Sequence, residues 1–102
     1  MHFFLDIPKV VPLKTEIYSG LNLEEEIVCT VHSSPRAEVT WTKDGEILPK
    51  DTTNFLVSQR GNQHILKLKQ ISKEMFGMYS CEAKNELGSD RTSIEVSGGH
   101  EI

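Results

Sequence analysis

The stretch that says most about the fold of this chain is Met75–Gly88, MFGMYSCEAKNELG. Within it, Tyr79, Cys81 and Ala83 alternate with polar residues, which is the period of a β-strand with one face in a core. The stretch also raises a question about function, because Cys81 could be a reactive nucleophile or a structural residue. The rest of the chain decides between these two interpretations.

Short alternating runs of the same kind fill most of the sequence, and turn residues separate them. Asp44-Gly45 favours a tight hairpin because both positions of such a turn adopt positive φ, and 72–77 (SKEMFG) is expected to form a single turn between two strands. The alternating runs are 26–31, 38–43, 54–58, 64–71, 77–85 and 92–96. About seven strands at this spacing in about 100 residues predict an all-β fold, an antiparallel β-sandwich of two sheets.

Length and charge limit the function classes. At 102 residues the chain makes one domain, and its net charge of −4 comes without a cluster of Lys and Arg. Because nucleic-acid binding needs such a cluster to replace counterions, we expect no nucleic-acid partner. No apolar run approaches the roughly 20 residues of a membrane span, so contact with a membrane is expected only through other parts of a parent protein. We expect a folded domain at 8–97 between tails at 1–7 and 98–102, as one module of a longer protein.

Catalytic and metal-binding constellations are not predicted. The histidines His2, His32, His64 and His100 are scattered, no CxxC pair is present, and no Ser-His-Asp set or carboxylate pair can be assembled. The run Glu24-Glu25-Glu26 is more typical of a solvated strand edge than of a calcium site. We therefore expect no enzyme activity, no cofactor and no metal. No asparagine lies in an N-x-S/T sequon, so no N-linked glycan is expected on this module.

The order of four residues resembles an immunoglobulin domain. Cys29, then Trp41, then Tyr79 and Cys81 look like the conserved B-strand, C-strand and F-strand positions of that family. Three further motifs resemble its I-set subclass: Leu66-x-Leu68-x-x-Ile71, Gly77-x-Tyr79-x-Cys81-x-Ala83-x-Asn85-x-x-Gly88 and Ile94-x-Val96. The resemblance covers 8–97 and implies an immunoglobulin-like sandwich with Greek-key connections.

The resemblance also implies roles for individual residues. A disulfide between Cys29 and Cys81 would join the two sheets, with Trp41 packed against it, so Cys81 is interpreted as structural. The Tyr79 hydroxyl would bond to the backbone of the preceding turn, whose conformation Gly77 supplies. The structural core residues implied in this way are Trp41, Tyr79, Leu66, Leu68 and Gly77.

Two positions depart from the family pattern. Met75 stands where the I-set usually has an aspartate, and Asn54 lies near the position of the arginine that pairs with it, so we expect this buried ion pair to be absent. Glu25 stands where an apolar residue is usual. Either Glu25 lies at the wet rim of the sandwich, or a bulge within 20–23 shifts the register.

The surfaces of the two sheets are predicted to differ. Strands C, F and G should present a polar face, whereas the other sheet should present Val28, Leu56 and Ile65 as a candidate contact patch. The function implied is non-catalytic protein–protein recognition or adhesion. The expected partner is a protein, and a second copy of this chain is one candidate.

Two settings remain for this function. The run from Phe76 to Gly88 resembles neural cell-adhesion proteins of the IgLON and lachesin kind, which implies the cell surface or the extracellular space. The segments 81–85 (CEAKN) and 41–45 (WTKDG) also resemble modules of titin-like muscle filament proteins, which implies a structural spacer in the sarcomere. The intact cysteine pair favours the cell surface, because such a pair is most useful in an oxidising compartment.

Overall fold

The computed structural model describes residues 5–99 and consists of strands joined by short turns. The strands are β1 (Asp6–Pro12), β2 (Glu16–Ser19), β3 (Glu25–Ser34), β4 (Glu38–Lys43), β5 (Glu46–Ile47), β6 (Phe55–Arg60), β7 (Gln63–Leu68), β8 (Gly77–Asn85) and β9 (Gly88–Gly98). A 3-10 turn at Lys73–Met75 links β7 to β8, as the sequence predicts.

The strands form two sheets. One sheet has the order β1-β3-β7-β6 and the other β2-β9-β8-β4-β5. The chain crosses between the sheets after β1, β2, β3, β5 and β7. All strand pairs are antiparallel except β2 and β9, which are parallel. The predicted fold class is confirmed.

The strand ends differ slightly from the predicted domain limits. β1 begins at Asp6 and β9 ends at Gly98, so residues assigned to the tails at 1–7 and 98–102 take part in the sheets. Asp6 pairs with Ser34 after a shift of register between Asp6 and Lys9, and Gly98 pairs with Ser19. The remaining tail residues, 1–4 and 100–102, lie outside the described residues.

The core lies between the two sheets and is built from alternate residues of each strand. On β3 the side chains of Ile27, Cys29 and Val31 are buried while Glu26 and His32 are exposed, which is the two-residue period of the sequence. The other buried members of the core are Val10, Ile17, Trp41, Leu66, Leu68, Ile71, Met75, Tyr79, Cys81, Ala83, Ile94 and Val96.

Local turn chemistry agrees with the sequence. Asp44 and Gly45 have φ of 49° and 89°, which joins β4 to β5 in a two-residue hairpin. Glu25 is half-buried at the first position of β3, opposite Leu68, and β3 pairs with β7 without a shift of register. The rim alternative for Glu25 is therefore correct.

Strand β3 connects the two ends of the sandwich. Its first residue, Glu25, follows the loop after β2, at the end where β9 finishes. Its last residue, Ser34, pairs with Asp6 at the other end, where β1 starts.

Candidate functional sites

The cysteine pair lies at the centre of the core. Cys29 on β3 and Cys81 on β8 come from different sheets, and both are fully buried free thiols. The hydrogen bond between the Cys81 thiol and Cys29, followed by burial, raises the pKa of Cys81 far above its usual range. A buried thiol that stays protonated is a poor nucleophile, so Cys81 has a structural environment. The Cys29–Cys81 disulfide itself stays a prediction.

Aromatic side chains pack beside this pair. Trp41 pairs with Cys81 across β4 and β8 and is almost completely buried. Tyr79 is also fully buried; its ring meets Phe55 edge-on, with centroids 6.3 Å apart, and its hydroxyl donates a hydrogen bond to the Met75 carbonyl. Burial raises the pKa of Tyr79, so this hydroxyl remains a donor. The arrangement is a tyrosine corner that fixes the turn before β8.

The start of β8 requires glycine. Gly77 has φ of 153°, and a Cβ added to it would lie 2.9 Å from Oδ2 of Asp44. Asp44 in turn accepts hydrogen bonds from Lys43 Nζ, at 2.8 Å, and from the Met78 N–H, at 3.1 Å. The hydrogen bond from Lys43 is the main reason that the pKa of Asp44 is lowered.

Met75 occupies the position at which the family usually has an aspartate. Its side chain is buried in the core, and its sulfur lies 3.4 Å from the Ser72 N–H. Asn54 is exposed, so the two positions hold neither charge of the usual ion pair. A core without the pair leaves no buried charge uncompensated.

The predicted contact patch on the four-stranded sheet needs a correction. Ile65 was expected to be exposed, yet only 3% of it is accessible. It points away from the main core, but it lies on the inner strand β7, between Val28 of β3 and Ser58 of β6. Neighbours on both sides cover this short branched side chain. Val28 is half-buried, and Leu56 remains 36% exposed.

Two exposed apolar residues beside Val28 were missed by the sequence analysis. Val11 is 42% exposed and Leu13 is 68% exposed. The Leu13 N–H donates to the Val28 carbonyl at 2.9 Å, and both residues line a shallow cleft of about 80 Å³. The signal was the apolar run 10–13, which Pro12 interrupts so that it shows no alternation. We call Val11, Leu13, Val28 and Leu56 the outer apolar strip.

The outer face of the five-stranded sheet is mostly polar, as predicted. Ser80 is nevertheless buried there, because its hydroxyl lies 3.1 Å from the Ser93 hydroxyl and accepts a hydrogen bond from Arg91 at 3.3 Å. Three exposed hydrophobic side chains interrupt the polar face: Tyr18, Ile47 and Met78.

The described part of the chain offers no metal site or membrane helix. Within residues 5–99, no three His, Cys, Asp or Glu side chains are grouped so that they could hold a metal ion. Over the same range, no helix has the length and apolar character needed to cross a bilayer. His2 and His100 lie outside the described residues.

A two-sheet sandwich with a tyrosine corner and a cysteine pair beside a buried tryptophan defines an immunoglobulin-like domain. The family profile described as the immunoglobulin I-set domain matches residues 11–97, and the chain belongs to this family.

Relatives of the chain include multidomain proteins of several kinds. Synaptogenesis protein syg-1 of Caenorhabditis elegans is 34% identical over 88 residues, covering 81% of this chain and 12% of the relative. Contactin of Drosophila melanogaster is 29% identical over 90 residues, covering 83% of this chain and 6% of the relative. The muscle M-line assembly protein unc-89 of Caenorhabditis elegans is 35% identical over 72 residues, covering 70% and 1%. The chain thus spans a small part of each of them.

Solved structures agree on the fold. The titin tandem domains A164-A165 superpose with a TM-score of 0.84 at 17% identity, over 95% of this chain and 51% of that chain. At this identity the likeness concerns the fold alone. The relatives as a whole include both adhesion proteins and muscle proteins.

Proposed function

We propose that this chain is a non-catalytic recognition or adhesion module of a larger cell-surface protein. The observation that carries the proposal is the outer apolar strip, since Val11, Leu13 and Leu56 expose apolar area on a sheet face that the core does not use. The strip lies on one face of the sandwich, which a protein partner can reach without disturbing the core. Likeness to syg-1 and contactin supports a role of this class.

The cysteine pair supports an oxidising compartment for the parent protein. Cys29 and Cys81 are buried side by side in facing sheets, where an oxidised pair would join the sheets through the middle of the core. Disulfides persist in secreted and cell-surface proteins and are rare in the cytosol. The proposed location is therefore the cell surface or the extracellular space.

A spacer in a muscle filament is the second candidate function. The 35% identity to unc-89 favours it, and so does complete burial of both thiols, which leaves them protected in a reducing cytosol. Thiol alkylation of the parent protein from its native source distinguishes the two settings. A pair that alkylates only after reduction supports the cell surface, and a pair that alkylates after unfolding without reductant supports the muscle filament.

Sedimentation velocity tests the recognition role with a second copy as the partner. The wild-type module is compared over micromolar to millimolar concentration with the double variant Leu13→Ser, Leu56→Ser. Reversible dimerisation that the double variant loses is the expected result, because both side chains are exposed and their loss leaves the core intact. The control is Ile47→Ser, Met78→Ser on the other sheet, which should dimerise like the wild type.

Two results would contradict the role of the strip in self-association. One is a wild-type module that stays monomeric throughout the range. The other is equal loss of dimerisation in the control variant, which would move the contact to the five-stranded sheet.

A further inference from the structure

A polar cleft opens at the end of the sandwich where β3 finishes. It has a volume of about 370 Å³ and lies between the β3–β4 loop and the β6–β7 turn. Its polar lining consists of Ser33, Ser34, Arg36, Gln59, Asn62 and His64. The apolar side chains of Val31 and Ala37 form the rest of the wall, so the cleft has a closed inner side and a hydrogen-bonding rim.

The charge in this cleft is one-sided. Among the residues that the structure describes, Arg36 and His64 line it and no Asp or Glu does. Burial, and after it the positive charge of Arg36, lowers the pKa of His64. Within residues 5–99 the ion pairs are Lys43–Asp44, Lys67–Glu24 and Lys69–Asp51, so Arg36 has no carboxylate partner in the described structure. Arg36 is an exposed residue of the cleft lining, and its guanidinium is free to make bidentate hydrogen bonds.

Donors that could complete an anion site are present beside Arg36. The hydroxyls of Ser33 and Ser34 and the amide of Asn62 line the same cleft. The Gln59 side chain is already used, since its Nε2 donates to the Gly61 carbonyl at 3.0 Å. Glu38 and Lys50, with opposite charges, line a neighbouring depression that shares His64 with the cleft.

This local charge is opposite to that of the whole chain and of the far end of β3. The chain carries a net charge of −4. At the start of β3 a surface depression is lined by Glu24, Glu25, Glu26 and Lys67, which pairs with Glu24. The cleft at the end of β3 is thus a cationic site on an acidic module. Complementary charge selects partners and speeds encounter, so such a site favours an acidic ligand.

We propose that this cleft binds a carboxylate side chain of an acidic peptide segment in a protein partner. Arg36 supplies the bidentate charge-assisted hydrogen bonds, and the serine hydroxyls and Asn62 bond the remaining carboxylate and backbone oxygens. The proposal rests on the recognition function proposed above and adds a second surface, at the end of the sandwich where β3 finishes.

The test is an NMR titration of the isolated module, labelled with ¹⁵N, with a capped peptide of three glutamates. The matched peptide carries three glutamines. The matched variants are Arg36→Gln and Arg60→Gln, since Arg60 is an exposed arginine of β6 outside the cleft. We expect saturable shifts at Ser33, Asn62 and His64 with the glutamate peptide and none with the glutamine peptide. Arg36→Gln should weaken binding about tenfold, and Arg60→Gln less than about twofold.

Several outcomes would overturn the proposal. Equal weakening by Arg60→Gln would show attraction to general surface charge, and equal binding of the glutamine peptide would exclude a carboxylate site. Acetate that binds as tightly as the peptide would make the cleft a small-anion site. The absence of any saturable shift would also reject it. None of these results touches the self-association experiment, which depends on Leu13 and Leu56, so the two proposals fail separately.

Discussion

The core between the sheets and the outer face of the four-stranded sheet follow the same two-residue period, but their side chains differ in burial. In the core, alternate side chains such as Leu66 and Leu68 are completely buried because the facing sheet covers them. On the outer face, Ile65 is 3% exposed and Leu56 36%, although no second sheet lies above either. The difference arises from position within the sheet, since β7 is an inner strand and β6 an edge strand. Periodicity therefore determines which face a residue occupies, whereas neighbouring strands determine its depth.

The largest predicted effect concerns oxidation of the core. We expect the free energy of unfolding to be about 4 kcal/mol higher for the module with a Cys29–Cys81 disulfide than for the reduced module. The reason is that the bond closes a long loop in the unfolded chain. Urea denaturation with and without reductant measures the difference. The double variant Cys29→Ala, Cys81→Ala is the control, and its unfolding should not respond to reductant. An oxidised form no more stable than the reduced form would contradict this prediction, since the disulfide would then add nothing to the free energy of unfolding.

The next effect compares the two apolar residues of the outer face. Ile65→Ala should lower the free energy of unfolding by about 2–3 kcal/mol, since it removes buried methyl groups. Leu56→Ala should lower it by less than about 0.5 kcal/mol, because the edge position is already solvated. Both variants are compared with the wild type by urea denaturation. Equal losses would show that the difference in depth has no energetic consequence.

A smaller effect is expected at the tyrosine corner. Tyr79→Phe keeps the ring in the core but removes the hydrogen bond to the Met75 carbonyl, and should cost about 1–2 kcal/mol. Tyr18→Phe is the matched control, because that hydroxyl is exposed and bonds only to Glu16 within its own strand. Thermal unfolding of the two variants should separate them by several degrees. Equal unfolding midpoints would show that the tyrosine corner does not contribute to the stability of the fold.

The smallest predicted effect is the pH dependence of the stability that arises from His64, a residue of the cleft lining. Because the pKa of His64 is lowered in the folded state, the unfolded chain binds more protons, and stability should rise as the pH increases through about 6.5. Arg36 adds to the effect, and Glu38 and Lys50 lie nearby with opposite charges. His64→Gln should flatten the pH dependence below about 6.5 relative to the wild type. An identical slope in both proteins would refute the burial of the neutral imidazole.

The sequence also determined the site less completely than the fold. The positions of Tyr79, Cys81 and Trp41 follow from local spacing. The hydrogen bond from the Tyr79 hydroxyl to the Met75 carbonyl is also local, because the two residues are only four positions apart in the sequence. The cleft joins residues from β3, β6, β7, the β3–β4 loop and the β6–β7 turn. It brings together Arg36 and His64, whose proximity no local pattern records. Sequence analysis therefore considered His64 only as an isolated histidine.

What the sequence by itself determined is strands β3, β4, β6, β7, β8 and β9, their inward faces and the Asp44-Gly45 turn, because these depend on the period of two and on local turn residues. Strands β1, β2 and β5 were not among the predicted runs. The tertiary structure decided which outward residues are exposed. It buried Ile65 between two strands and left Leu13 exposed beside Val28. It also placed Arg36 next to His64, with no counterion for Arg36 within residues 5–99. Burial and electrostatic environment depend on neighbours distant in the sequence, and only the pairing and packing of the sheets bring those neighbours together.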